Sequence, residues 1–270
     1  VWLKAAAAAS SAQPMWRAHG TARATLGAEV GLDSEVASER LAALRCLWGP
    51  GRRGPAEGVP DLALGALADR DEQVRAAAVK LLGWACSRDA AALPTRAAAL
   101  DGLLAALADG QWQVREAAAG ALGLAGRPGM PGAASAAVEA LSLAARGDRS
   151  WPVRAAAAGA LGRLGDDASG CLEALKDVAR DDRHWRVRRS AVDAICSQGA
   201  AAICDAEAVC IAALSDSSWS VRCSAANALG LLTGGSRTAT SALAAALRSD
   251  PEWRARAAAA RALGAVGRAL

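Results

Sequence analysis

The sequence predicts an all-α fold, a solenoid of stacked antiparallel helix pairs, on three observations. A block written D-x-x-W-x-V-R-x-x-A-A-x-A-L-G recurs six times, and self-similarity at a period of 34 to 40 residues marks a repeat array. Between the blocks, apolar residues return at helical spacing rather than in strict alternation. The apolar fraction is 53%, yet it contains no Phe or Tyr and nine Trp, so Ala, Leu and Val must make most contacts, which suits helices packed at close range.

Anchored on the Arg, the copies sit at Arg75, Arg115, Arg154, Arg188, Arg222 and Arg256, with spacings of 40, 39, 34, 34 and 34 residues. Six positions before each Arg stands an Asp: Asp69, Asp109, Asp148, Asp182, Asp216 and Asp250. Seven positions after it stands Leu82, Leu122, Leu161, Ile195, Leu229 or Leu263, followed by Gly in five copies and Cys196 in the other. Val221, Ala225 and Leu229 share one helical face, so each block is the second helix of a pair, with that stripe buried. The following Gly is expected to end the helix. The Asp is expected to accept N–H groups of the next helix's first turn, most clearly at Asp250-Pro251, whereas Pro152 starts its helix nearer Ser150. Thirteen residues before the Arg, Leu62, Leu141, Leu175, Val209 and Leu243 mark the first helix, with Gly102 the exception.

In chain order, residues 1–60 read as irregular N-terminal helices. Trp16 to Gly27 aligns without gaps to Trp253 to Gly264 as a decayed copy, and Asp33 to Trp48 carries a further helical pattern whose pairing stays open. Gly49 to Pro60 is a loop rich in Gly and Pro. Residues 61–270 read as six repeats continuous with that part as one solenoid, with a second Gly/Pro break at Gly126 to Gly132.

Composition narrows the function. No long uninterrupted apolar run of real bulk suggests a membrane span. Seven scattered Cys, an odd number without a C-x-x-C pair, point to reduced thiols and an intracellular compartment. The net charge of +4 demands neither nucleic acid nor an anionic membrane. The Ala/Ser-rich stretch Ala5 to Ala12 is either an ordinary first helix or the remnant of a targeting segment. His19 and His184 lie far apart and form no metal-binding pattern, and no phosphate-cradling motif or triad arrangement occurs. Cys196 and Cys223 lie near Arg residues but within helices, where Cys packs as a small hydrophobe. No catalytic residue, metal or cofactor is assigned.

Paired helices with a turn Asp and an Arg six residues on resemble HEAT repeats, particularly the short HEAT-like repeats associated with phycobiliprotein lyases. The resemblance implies a superhelix in which the six Asp and six Arg named above form a structural ladder between successive repeats. It also places the second helices on the concave surface, with Trp112, Trp151, Trp185, Trp219 and Trp253 forming a row along it. Beside them on the same stripe fall Glu116, Arg189, Asp193, Asn227 and Arg261. The Trp row serves either to seal the gaps between Ala-rich second helices or to bind a partner, since Trp offers a large apolar area and one N–H.

The leading functional expectation is therefore a non-enzymatic scaffold or adaptor for protein–protein interaction, a subunit of a larger complex. Nucleic-acid binding is the first alternative, through Arg180, Arg183, Arg186, Arg188 and Arg189 around Trp185, although Asp181 and Asp182 interrupt that cluster. Chromophore attachment or assembly of the phycobiliprotein-lyase kind is the second, by fold analogy. Neither end is convincingly polar, so one or both are expected to dock onto another chain or to continue.

Overall fold

The computed structural model describes residues 31–47, 58–87, 93–125, 133–165, 171–197, 203–232 and 236–269. The decayed copy at Trp16 to Gly27, His19, Ala5 to Ala12 and the break at Gly126 to Gly132 lie outside them. Thirteen α-helices account for most of the described residues, and no strand occurs among these. They are α1 (Ala37–Leu47), α2 (Val59–Gly65), α3 (Glu72–Ser87), α4 (Leu93–Ala106), α5 (Trp112–Ala125), α6 (Ala133–Gly147) and α7 (Trp151–Leu164). There follow α8 (Cys171–Asp181), α9 (Trp185–Ser197), α10 (Ile203–Ala213), α11 (Trp219–Leu232), α12 (Arg237–Ser249) and α13 (Trp253–Ala269). The helix α2 begins at Val59, inside the stretch expected to be loop, because Pro60 in its first turn needs no N–H partner.

Even-numbered helices are the first and odd-numbered helices the second members of each pair. Val74, Val114, Val153, Val187 and Val221 are buried, as are the Ala residues four positions further on and, in five of the six copies, the Leu or Ile four beyond those. Leu82, Leu122, Leu161, Ile195 and Leu229 have essentially no exposed surface, and each such side chain contributes about 2 kcal/mol by leaving water. Leu263 in the last copy is only partly buried.

Successive odd-numbered helices lie side by side along their length, whereas successive even-numbered helices touch sparsely. The odd helices are therefore the more closely packed layer, and their side turned away from the even helices is the inner face.

The tight layer depends on the glycine of the block. It does not end the helix: α3, α5, α7 and α11 each continue beyond Gly83, Gly123, Gly162 and Gly230. A Cβ at these positions would stand 2.6 to 3.0 Å from Ala121, Ala160, Ala194 or Ala262 of the next repeat. Glycine is present because the neighbouring backbone occupies the space a side chain would need. The expected helix-stop reading is thus overturned by an inter-repeat contact.

The Asp–Arg pairs run between repeats. Arg75 donates from Nε and Nη2 to Asp109 at 2.8 and 3.0 Å, and from Nη1 to the carbonyl of its own Asp69 at 2.8 Å. The same three bonds join Arg115 to Asp148 and Asp109, Arg154 to Asp182 and Asp148, Arg188 to Asp216 and Asp182, and Arg222 to Asp250 and Asp216. A further rung was not foreseen: Arg40 bonds Asp69 at 2.6 and 2.8 Å and donates to the Ser34 carbonyl, so α1 is the second helix of another repeat. At the other end, Arg256 donates to the carbonyls of Asp250 and Pro251 and meets no carboxylate among the described residues.

Nor is the Asp an N-cap. Each accepts the backbone N–H two residues on, as Asp250 does from Glu252 at 2.8 Å, and the helix begins later, at Trp253. Each Asp thus closes a tight turn and anchors the preceding repeat's Arg.

Candidate functional site

The ladder fills the seam between repeats, and the inner face of the odd helices carries the Trp row. Each Trp is the first residue of its helix, which places it at one edge of that face. Trp112, Trp151, Trp219 and Trp253 remain exposed, Trp253 by as much as 60%, while Trp185 is half-buried against the core.

Two pairs of neighbouring Trp are joined by an Arg that follows the later Trp in sequence. The Arg186 guanidinium lies 5.0 Å from the Trp151 ring centre and 4.7 Å from that of Trp185. Arg254 lies 5.1 Å from Trp219 and 4.9 Å from Trp253. A guanidinium over an indole is attracted by the ring quadrupole, so each Arg links two repeats. His184 stacks on Trp151 with centroids 4.2 Å apart and accepts the Arg186 N–H at Nδ1. Partial burial and the nearby Arg186 cation push its pKa down. His184 is therefore engaged in stacking and helix capping.

Between α9 and α11 the inner layer opens. This contact is sparser than those on either side of it, and it is where Cys196 replaces the glycine of the block, its sulfur 3.5 Å from that of Cys210 on α10. The resulting cleft, about 490 Å³, brings together Arg189, Asp193, Trp219 and Asn227 from the predicted stripe, with Cys223, Ser220, Ser224 and Leu231. Asp193 accepts the Ser224 hydroxyl and stands 3.6 Å from Arg189, which also reaches Ser220 at 3.4 Å. Arg261 is exposed on α13 and close enough to act electrostatically on Cys223. Trp112 and Glu116, on α5, are exposed on the same face but remote from the cleft.

The basic cluster around Trp185 is dispersed by the fold. Arg188 is consumed by the ladder, Arg180 lines an outer-face depression with Lys176, and Arg186 and Arg189 turn to the inner face. Burial pushes the Cys86 and Cys171 thiols up, and at Cys223 burial outweighs the nearby arginines in the same direction. Cys210 is raised by its contact with Cys196, whose sulfur is 3.5 Å away, and by burial. These thiols are poor nucleophiles. No group of three or more metal-ligating side chains occurs among the described residues. No helix there is long and apolar enough to cross a membrane.

The sequence profile of HEAT repeats matches residues 100–196 and 172–264. No curated protein sequence matches the chain. Among solved structures, the complex of CpcE and CpcF of phycocyanin lyase from Nostoc sp. PCC7120 is 27% identical, covering 81% of this chain and 80% of that one, with a TM-score of 0.50. A designed armadillo repeat protein is 23% identical over 77% of this chain and 99% of its own, with a TM-score of 0.50. Kap95p, solved with RanGDP, is 15% identical over 90% of this chain and 36% of its own, with a TM-score of 0.61 to 0.63 across two complexes.

Proposed function

The chain belongs to the HEAT-repeat family, and from that premise we propose that it is a non-enzymatic scaffold or adaptor that holds a protein partner on its inner face. One observation carries this reading: among the described residues the buried apolar core is made of Ala, Leu, Val, Ile and Cys and holds no Trp, while four Trp of the row remain exposed beside it. Large apolar area that the fold does not bury is what binding hot spots are made of. Kap95p and the CpcE–CpcF pair are themselves described in complexes with other proteins.

Affinity capture from the native source tests this, comparing the intact protein with a variant carrying Ala at Trp112, Trp151, Trp185, Trp219 and Trp253, with nuclease treatment in parallel. A nuclease-resistant protein retained by the first and lost from the second supports the scaffold. Recovery of mainly nucleic acid overturns it. A second reading, an assembly factor for a chromophore-bearing protein, is favoured by the 27% identity to phycocyanin lyase subunits alone. It requires the captured partner to carry a chromophore.

A further inference from the structure

The inner face is not uniform in charge. Across α9, α11 and α13 it presents Arg186, Arg189, Arg254 and Arg261, against Asp193 and Glu252. Asp193 stands beside Arg189, and Glu252 stands 3.3 Å from Arg254 through a single Nη1. Arg186 and Arg261 meet no carboxylate among the described residues. Toward the other end, the same face carries Glu72 and Glu116 with Lys80 and Arg163, the last held on the Gly120 carbonyl. The more positive half also contains the cleft between α9 and α11, and the N-termini of α9, α11 and α13 add the positive ends of their dipoles at the Trp edge.

Resting on the scaffold reading, we propose that this half of the groove holds an extended acidic segment of a partner protein. Its carboxylates pair with Arg186 and Arg254, and an apolar residue between them enters the cleft beside Trp219. The two guanidinium groups already lie against two indoles each, so little rotamer freedom is lost when a carboxylate takes their remaining N–H groups. They occupy the same position two repeats apart. Packed helices lie about 8 to 10 Å apart, so the anchors are separated by about 16 to 20 Å, the reach of five or six extended residues. The segment therefore places acidic residues about six apart, with an apolar side chain midway. A nucleic acid fits less well: cis guanidinium groups already lie over four of the indoles, and the Asp193 carboxylate faces the cleft where a phosphate would pass.

The probe is a labelled synthetic peptide with two Asp-Asp pairs about six residues apart and a Leu between them, titrated by fluorescence anisotropy at low salt. Controls are the same peptide with Asn for each Asp, the Leu→Ala peptide and a mixed-sequence single-stranded oligonucleotide. Tight binding of the acidic peptide, weakened about tenfold or more by Asn or by Arg186→Gln with Arg254→Gln, supports the proposal. Trp219→Ala removes an apolar wall of the cleft without touching charge, so in that variant the Leu→Ala change should no longer matter. Circular dichroism melts establish that each variant is folded. Equal affinity for the Asn peptide, no binding of the acidic peptide, or preference for the oligonucleotide overturns the proposal. If the captured partner still depends on the Trp row while the acidic peptide does not bind, the scaffold reading stands and the acidic segment falls.

Discussion

Arg222 and Arg256 occupy equivalent positions, but only Arg222 reaches a following carboxylate. The Arg222 and Asp250 side chains are 12% and 4% exposed, so Arg222→Ala strands a buried charge and should lower stability by about 3 kcal/mol in urea titration. Arg256→Ala loses only bonds to carbonyls and should cost about 1 kcal/mol. Trp219→Ala should cost less than about 1 kcal/mol, because the side chain is 43% exposed; a loss equal to that of Arg222→Ala would make the Trp row a packing device. The ladder also sets a pH dependence. Hydrogen bonds from Arg40, Arg75 and Arg222 hold Asp69, Asp109 and Asp250 below the ordinary carboxyl range. At Asp148 and Asp216 burial works upward, but Arg115 and Arg188 with the turn N–H groups outweigh it. The unfolded chain then takes up protons before the native one does, so this stability is full above about pH 4 and is lost as pH falls through the lowered native values. Urea midpoints should be flat near neutrality and fall steeply below about pH 4. The rungs from Arg75 onward were legible because Asp, Val and Arg keep fixed spacing. Arg40 was not, since Ser34, Glu39 and Trp48 stand where the block has Asp, Val and Gly, leaving only Ala43 and Leu47 in register.

Among the helices, α5 offers a test of why glycine is used where it is. A Cβ on Gly123 would stand 2.8 Å from Ala160, whereas one on Gly120 would meet nothing within 4 Å. Ala is the better helix former by about 1 kcal/mol, so Gly120→Ala should raise the melting temperature. Gly123→Ala should instead destabilise by about 1 to 3 kcal/mol, because α5 and α7 must move apart. If the two variants behave alike, the close approach is not what selects glycine. The helix-stop reading failed because a glycine at a fixed place in a repeat looks the same whether it ends a helix or admits a neighbour. Its position inside the helix is decided by contacts about forty residues away. The Trp–Arg pairs had a faint signal that went unread: among the five regular Trp, only Trp185 and Trp253 are followed by Arg.

For the whole molecule, stability in a solenoid is a sum over repeats and their interfaces, so the weakest interface governs where it opens. The α9–α11 seam, where Cys196 replaces glycine, is packed more sparsely than its neighbours. Native-state hydrogen exchange should therefore be faster along α9 and α11 than along α5 and α7, and uniform protection would show that the sparser packing carries no energetic consequence. Fold class, helix order and the rungs from Arg75 to Arg222 could be read from the sequence, because a repeated block and helical periodicity are local properties that every copy states again. Tertiary structure alone decided that each Arg binds the next repeat's Asp through its fork and its own repeat's carbonyl through Nη1. It also decided that glycine marks contact rather than termination, and that a cleft lies among Trp219, Arg189 and Asp193. These depend on how closely helices from different repeats approach, a distance set by packing across the stack that no single segment encodes.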